Sequence, residues 1–366
     1  MHGLNPIPKT NSTSWFRESP RFCRSASLAM LSPLIALAGC TTESTFNAHG
    51  PAARSIGHLS LLMTILFSIT TIVMWVLLWY AFYRRRGSLS EHEPINVAGG
   101  ERWIAIGGIT IPLIVFIVLF ILGLGLLRAF PIHGMHSHAQ HQQMVKSMKP
   151  DILITGHQWW WQIQYLNDDV SQQFTTANEL HIPVGRPVNI EVATADVMHS
   201  FWIPALHGKV DLIPGMANYI RIEASEPGTY TGQCAEYCGA EHARMRLVAI
   251  AEPEAAFETW KQQQLQPSKP PTDAIAQKGM QVFLNGPCSM CHTVRGTIAG
   301  GSVAPDLTHI GSRKYIAANS YQNNDAYLES WVTHAQGLKP GAQMPNLTQF
   351  TGEQLHELVV YLRQLQ

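Results

Sequence analysis

The chain has 366 residues, which is enough for two or three domains that each bury a core. Its 25 basic and 25 acidic side chains give a formal net charge of zero, so nothing in the charge balance indicates a nucleic-acid-binding surface. Only 14% of the residues are charged and 46% are hydrophobic. The apolar residues are concentrated in two long runs, which indicates a membrane protein.

The N-terminal segment, residues 1–40, has the pattern of an export signal. Three arginines precede a short apolar stretch over residues 26–38, and Gly39 and Cys40 follow. A basic flank, a short apolar core and small residues are typical of a secretory signal peptide. Residues 37–40 also resemble a bacterial lipobox, in which Cys40 carries lipid, although plain cleavage nearby would leave the same pattern. In either case residues 1–40 are predicted to lie outside the mature fold.

Two uncharged runs, Leu59–Tyr83 and Ile104–Leu127, come next. Each exceeds the roughly 20 residues that a helix needs to cross the hydrocarbon core of a bilayer. Arginines follow the first run and precede the second, which places the connecting loop 84–103 in the cytoplasm. The sequence therefore predicts a two-helix transmembrane hairpin whose ends both lie on the side to which an export signal would deliver them.

The residue pattern of the segment 151–260 is typical of a β domain. Trp159, Trp161, Ile163 and Tyr165 alternate along one predicted strand. Further short strands are predicted, separated by proline and glycine: His181–Val184, Val188–Ala193, Tyr219–Ala224 and Arg246–Ala251. Several short strands at this spacing indicate a β-sandwich or barrel.

A proline-containing stretch over residues 262–272 is predicted to be an extended linker. Beyond it, residues 273–366 are predicted to form a small all-α domain. Its helices are expected at Asp273–Leu284, Asp325–His334 and Thr351–Gln366, with Thr351 as the N-terminal cap of the last one.

A dense set of soft metal ligands lies between Gln233 and Met245. The segment offers two thiols, an imidazole and a thioether, and His199 offers a second imidazole: Cys234, Cys238, His242 and Met245. A mononuclear blue-copper site uses one cysteine, two histidines and a distant methionine. The additional cysteine predicts a dinuclear copper site bridged by two thiolates.

From the sequence alone, two other interpretations of these residues remain possible. A structural zinc site of two cysteines and two histidines would use most of the same ligands but would leave Met245 without a role. A disulfide between Cys234 and Cys238 would leave both histidines and Met245 unexplained.

Cys288-Ser-Met-Cys291-His292 has the C-x-x-C-H pattern of covalent c-type haem attachment. The two thiols add to the haem vinyl groups, and the histidine ligates the iron from the proximal side. C-x-x-C alone is also the pattern of a redox-active disulfide. An exported helical domain, however, is where c-type haem is expected, and such a domain needs a second axial ligand.

Three segments together resemble subunit II of the haem-copper cytochrome c oxidases. They are Gly156–Trp161, Asp196–Ser200 and the pattern from Cys234 to Met245. The resemblance covers roughly residues 55–255 and implies a cupredoxin-like β-sandwich or barrel carrying the dinuclear centre CuA. It implies bridging thiolates from Cys234 and Cys238, terminal ligation by His199 and His242, and weak ligation by Met245.

The same resemblance implies further roles. Glu236 would ligate copper through its backbone carbonyl, and its carboxylate would reach a magnesium ion at the border with subunit I. Trp159 matches an aromatic residue through which electrons enter. The helical domain resembles small class I cytochromes c, in which Met344 would be the second axial ligand and the carbonyl of Pro305 would receive the proximal imidazole N–H.

The sequence therefore predicts a multidomain membrane protein: a two-helix transmembrane hairpin, a cupredoxin-like domain and a small all-α cytochrome c domain. The expected function is electron entry into a terminal oxidase of a bacterial inner membrane, with the copper and haem domains on the periplasmic side. Expected partners are the catalytic subunit I, other oxidase subunits and an external donor such as soluble cytochrome c. No catalytic residue is expected in this chain.

Two other functions would use the same copper and haem ligands. One is electron entry into a CuA-containing nitric oxide reductase, and the other is that of a membrane-anchored electron shuttle or copper protein. One departure from the family pattern concerns protons. Many relatives carry a glutamate about two turns before the proline of the second spanning helix, but counting back from Pro112 reaches Ala105. No proton-conducting role is therefore assigned to this chain.

Overall fold

The computed structural model describes residues 46–84, 100–129 and 149–366. The predicted signal peptide, the lipobox at Cys40 and most of the predicted cytoplasmic loop lie outside the described residues. Three parts follow one another along the chain: two long apolar helices, a β domain (residues 149–265) and a helical domain (residues 273–366).

Both predicted apolar helices are present. Helix α1 covers Pro51–Arg84, and the second run consists of α2 (Gly100–Trp103), a π-helical segment (Ile104–Thr110) and α3 (Ile111–Ala129). Their mean hydropathies of 2.4 and 2.9 and their lengths allow each to cross a membrane. The wider π-helical turn ends beside Pro112, whose ring cannot donate a hydrogen bond and crowds the preceding turn of a regular α-helix.

The start of α1 is attached to the β domain. The backbone N–H of His49 donates to the carbonyl of Ala205 at 2.7 Å, and that of Ala53 donates to Leu206 at 3.3 Å. The guanidinium of Arg54 donates to the hydroxyl of Ser225 at 2.8 Å. The bond from Ala53 occupies a backbone N–H that a free helix start would leave unpaired.

The β domain is built from ten strands in two five-stranded sheets, as expected for a cupredoxin-like sandwich. One sheet has the order β3-β2-β1-β5-β8 and the other β4-β10-β9-β6-β7. The strands are β1 Ile152–His157, β2 Trp160–Tyr165, β3 Phe174–Ala177, β4 Glu179–Pro183, β5 Val188–Thr194, β6 His199–Trp202, β7 Val210–Leu212, β8 Asn218–Ile222, β9 Gly228–Cys234 and β10 Arg246–Glu252.

The first two strands form an antiparallel hairpin whose turn consists of Gln158 and Trp159. Trp161, Ile163 and Tyr165 point into the core, as the alternation predicts. The expectation that Trp159 continues this face is wrong, because Trp159 lies in the turn and not in the strand. Its indole is thereby free to face the cysteine loop, which we define as residues 234–245.

A helix that the sequence analysis did not predict, α4 (Glu254–Leu265), closes the β domain. It includes the first four residues of the predicted extended linker 262–272, so that part of the prediction is wrong. Trp260 packs flat on His181, with ring centroids 3.9 Å apart, and edge-on to Tyr165 at 5.2 Å. This aromatic packing stabilises α4, whose polar sequence gives little indication of a helix. Pro267 lies just beyond the end of α4.

The helical domain contains α5 (Ala274–Asn285), α6 (Cys288–Cys291), a small antiparallel pair β11–β12 (Tyr315–Ile316 and Tyr321–Gln322), α7 (Asp325–Leu338) and α8 (Gly352–Gln364). The predicted cap is confirmed, because Thr351 and Gln354 form a reciprocal capping box. Helix α7 runs beyond the predicted end at His334, where its backbone is locally non-helical.

Candidate copper and haem sites

The cysteine loop connects β9 to β10 at one end of the sandwich. It is closed at its base by the backbone N–H of Cys234, which donates to the carbonyl of Met245 at 3.0 Å. Inside it, Gly239 has a φ of +117° and lies against Trp159. A Cβ atom at Gly239 would stand 2.9 Å from the indole, so only glycine allows the loop to approach the hairpin this closely.

The predicted copper ligands converge around Cys238. Its Sγ lies 3.8 Å from Sγ of Cys234, 3.6 Å from Nδ1 of His242 and 3.8 Å from Sδ of Met245. On the other side, Nδ1 of His199 lies 3.9 Å from Sγ of Cys234. His199, Cys234 and Cys238 form a buried triplet whose ligand atoms lie within 4.8 Å of one another. One histidine thus adjoins each sulfur.

The arrangement fits a dinuclear copper centre better than the alternatives. Cys234 and Cys238 are free cysteines, and their sulfurs are far beyond the roughly 2 Å of a disulfide. A zinc site would have no use for Met245, whereas this thioether is buried beside Cys238. The carbonyl of Glu236 accepts from the thiol of Cys234 at 3.2 Å, which places this oxygen on the ligand side of the loop.

The two thiols share a hydrogen bond. This bond lowers the pKa of Cys234 below that of a free thiol, and together with burial it raises the pKa of Cys238. A thiolate is therefore readily formed in the loop, and thiolate sulfur is the form that binds a metal.

His199 is held in place by a carboxylate. Its Nε2 donates to Oδ1 of Asp196 at 2.7 Å, which leaves Nδ1 facing the sulfurs. Burial lowers the pKa of His199, but hydrogen bonds with Cys234 and Asp196 outweigh burial and raise it overall. At Gly156 a Cβ atom would come within 2.8 Å of this imidazole, so the glycine leaves the room that the ring occupies.

Asp196→Asn is expected to weaken copper binding about 10- to 100-fold, because loss of a carboxylate partner leaves a metal-binding histidine less basic and less well oriented. Competition with a copper chelator measures this affinity. Asp168→Asn, which changes an exposed carboxylate of the same domain, is the matched control. Equal copper affinity in the two variants would contradict the assigned role of Asp196.

The hairpin turn is hydrogen-bonded to the cysteine loop at the backbone carbonyl of Cys238. Nε1 of Trp159 donates to the Cys238 carbonyl at 3.0 Å, and Nε2 of Gln158 donates to the same oxygen at 2.7 Å. The backbone N–H of Gln158 also donates to Asp196. Trp159, expected as the electron entry residue, is therefore joined directly to a predicted copper ligand.

The predicted haem-attachment segment lies in the helical domain. Cys288 and Cys291 are free and are the first and last residues of the short α6, about one turn apart. Nδ1 of His292 donates to the carbonyl of Pro305 at 2.7 Å, as the resemblance implies. Burial lowers the pKa of His292, which favours the neutral ring, and in that form the other nitrogen can bind a metal. These residues fit a covalently attached haem with a proximal histidine.

Met344 lies in the loop between α7 and α8. It packs, partly buried, against the same hydrophobic cluster as Cys288, and its backbone carbonyl accepts from Gln336 at 2.7 Å. Met290, inside the attachment motif, is 70% exposed. Met344 therefore remains the prediction for the second axial ligand.

Several residues that support these sites were not singled out from the sequence. Asp196 lies three residues before His199, a spacing that could have indicated a carboxylate partner. Gln158 and Lys339 gave no such sign, because their contacts join residues that are 80 and 180 positions apart.

The helical domain and the β domain match known families. Residues 166–251 match the cytochrome c oxidase subunit II periplasmic domain, and residues 276–366 match the cytochrome c family. Cytochrome c oxidase subunit 2 of Alkalihalophilus pseudofirmus is 34% identical over 90% of this chain and 93% of its own length. The corresponding protein of Bacillus subtilis is 26% identical over 92% of this chain and 96% of its own length.

Among solved structures, the periplasmic domain of subunit II of cytochrome oxidase from Bradyrhizobium japonicum is 30% identical, with a TM-score of 0.30. The aligned region covers 32% of this chain and 95% of the chain in that structure.

The fold, the ligand set, the two family matches and the two oxidase subunits of similar sequence define a two-domain electron-carrying subunit of a haem-copper oxidase. The chain belongs to the cytochrome c oxidase subunit II family and carries a C-terminal cytochrome c domain. Family membership implies CuA copper in the β domain and haem c in the helical domain. With its two apolar helices, the chain is a membrane-anchored protein with a periplasmic domain.

Proposed function

We propose that this chain takes electrons from an external donor, such as a soluble cytochrome c, at its haem domain and delivers them by way of the cysteine loop to a catalytic subunit that reduces oxygen. When bound, the haem and the copper pair would supply reversible one-electron storage. The haem would be held by Cys288, Cys291, His292 and Met344. The copper ions would be held by His199, Cys234, Glu236, Cys238, His242 and Met245.

The observation that carries this proposal is the direct contact between the two domains at Trp159. The indole of Trp159 donates to the carbonyl of Cys238, while its own carbonyl accepts from Lys339 of the helical domain at 2.8 Å. Trp159 thus bonds to both domains. A Cβ atom at Gly341 would lie 3.7 Å from the Trp159 ring, so the loop leading to Met344 also lies against the indole.

The protein itself keeps the ligand atoms in one place. A backbone hydrogen bond closes the cysteine loop at Cys234, and the hairpin turn bonds to it at Cys238. Asp196 holds the neighbouring His199 in place. Soft sulfur ligands in a constrained loop need little rearrangement when the charge of the site changes, and that favours fast transfer in both directions. A magnesium ion at the carboxylate of Glu236 and residence in a bacterial inner membrane are further parts of the proposal.

Spectroscopy of the full-length, copper- and haem-loaded chain tests the proposal. We expect a mixed-valence copper signal with hyperfine coupling to two equivalent copper nuclei, together with a c-type haem spectrum. Addition of reduced cytochrome c should reduce the haem before the copper. Reduction of copper while the haem stays oxidised would contradict the proposed order. Copurification with a catalytic subunit containing copper beside its haem distinguishes the oxidase from a nitric oxide reductase, which would carry non-haem iron, and from an isolated shuttle.

Met344→Ala is expected to change the haem spectrum and to lower its reduction potential, because a thioether ligand stabilises the reduced haem. The copper signal should be unchanged, since Met344 belongs to the helical domain. A redox titration followed at the haem bands measures the potential. Met280→Ala is the control within the same domain, and an equal change in both variants would remove Met344 from the ligand set.

A further inference from the structure

A buried lysine joins the two domains at the cysteine loop. Lys339 is 3% exposed. Its ammonium donates to the carbonyls of Trp159 at 2.8 Å and Arg244 at 3.1 Å, both in the β domain, and to that of Ala317 at 3.4 Å in its own domain. An ammonium has three donors, and all three find a carbonyl here. Such complete pairing is what allows a charged group to be buried.

A second bond runs in the opposite direction beside the first. The guanidinium of Arg244 donates to the carbonyl of Leu338 at 2.7 Å. Leu338 and Lys339 are neighbours at the end of α7, and Arg244 lies in the cysteine loop. Each domain therefore donates a charge-assisted hydrogen bond to a carbonyl of the other at the same point.

The local backbone also depends on this contact. Ala317, Ala318 and Asn319 have positive φ angles of 53°, 56° and 58°. Residues with a side chain rarely adopt this left-handed conformation, and such a run persists only where the surroundings hold it. The Lys339 ammonium binds the carbonyl at the start of this run, so it helps to fix the turn that lies at the interface.

Other contacts join the domains at separate places. The buried carboxylate of Glu179 accepts from the backbone N–H groups of Lys314 at 2.6 Å and Tyr315 at 3.3 Å. The guanidinium of Arg295 donates to the carbonyl of Leu265 at 3.3 Å. These contacts hold the helical domain against the β domain in general, whereas Lys339 alone among the described lysines bonds to the carbonyl of Trp159.

We propose that Lys339 is a positioning residue that seats the helical domain on the cysteine loop, with its amine bridging Trp159, Arg244 and Ala317. The inference rests on the proposed function, in which electrons pass from the helical domain to the β domain. Loss of the amine releases the end of α7 and the loop before Met344 from Trp159. The haem and the copper centre themselves are untouched, because Lys339 ligates neither.

Lys339→Met tests this in the full-length, copper- and haem-loaded chain, with Lys278→Met as the matched control, because Lys278 is exposed on α5. Photoreduction of the haem, followed by the absorbance of the copper centre, measures the rate of transfer between domains. We expect a slowing of about 10-fold or more in Lys339→Met, because displacements of about 1 Å already have large effects on rates, and no change in the control. The copper and haem spectra should be unchanged in both variants.

Hydrogen–deuterium exchange provides a second readout that does not depend on electron transfer. Peptides covering residues 314–322 and 336–342 should exchange faster in Lys339→Met than in the parent chain or the control. Lys339→Arg, which retains charged donors, should recover part of the transfer rate and of the protection. If Lys339→Met does not accumulate, the neutral Lys339→Gln takes its place, with the same two readouts.

Slower electron transfer together with faster hydrogen–deuterium exchange at the interface in Lys339→Met supports the role of Lys339 in seating the helical domain. A transfer rate and an exchange rate equal to those of the parent chain overturn it. Absence of transfer from haem to copper in the parent chain would contradict the proposed function instead. The exchange measurement would then still decide whether Lys339 seats the domain.

Discussion

Cys238→Ser is expected to abolish the mixed-valence copper signal and to stop electron delivery from the chain. The sulfur of Cys238 is the atom around which Cys234, His242 and Met245 gather, at 3.6–3.8 Å. Serine has nearly the same shape but offers a hard oxygen, which does not replace a bridging thiolate for copper. We therefore expect a loss greater than the roughly 10- to 100-fold that removal of an outer partner causes.

Electron paramagnetic resonance of the loaded chain measures the copper signal, and turnover of the assembled oxidase with cytochrome c measures delivery. Tyr237→Phe is the matched control, because Tyr237 belongs to the same loop but is 76% exposed. The c-type haem spectrum should persist in both variants. A surviving mixed-valence signal in Cys238→Ser would mean that this sulfur does not bridge the metals.

Trp161→Ala is expected to lower the free energy of unfolding of the β domain by about 3–5 kcal/mol, the range for emptying a buried aromatic site. Trp161 is fully buried and meets Phe201 edge-on at 5.9 Å and His199 at 6.1 Å between ring centroids. The cavity would thus adjoin a predicted copper ligand, so copper should also be bound less tightly.

Denaturant unfolding of the full-length chain in detergent, followed by fluorescence, measures this loss. Trp161→Phe is the control, and it should cost less because the indole N–H of Trp161 has no hydrogen-bond partner among the described residues to lose. A decrease below about 1 kcal/mol in Trp161→Ala would show that the surrounding core collapses into the space.

Local patterns made much of the architecture predictable. Uncharged runs predicted the two long helices, and alternation predicted β2. Separation by proline and glycine predicted further strands such as β5 and β10, and Thr351 predicted the start of α8. Most candidate copper and haem ligands could be named because they lie in two short motifs with fixed spacing, from Cys234 to Met245 and from Cys288 to His292. These signals are contained within a few turns or one strand of the chain.

Features that depend on distant residues were missed. Helix α4 is held by aromatic packing against strands that precede it by many residues, and its own polar sequence resembled a linker. Trp159 was assigned to a strand face, whereas its position is set by a hairpin turn and by Cys238. Lys339 has no local signal at all, because all its carbonyl partners are supplied by the folded arrangement of two domains.

The crossing of α5 and α8 within the helical domain also sets an order of folding after export. At Gly279 the two backbones approach so closely that a Cβ atom would collide with the carbonyl of Glu357. Helix α5 can bury this face only after α8 has crossed the membrane, whereas the β domain has all its strands by Glu252. Since domains fold as units, and earlier ones first, the cysteine loop is formed while the C-x-x-C-H segment still lies in an open chain that a haem-attaching enzyme can reach.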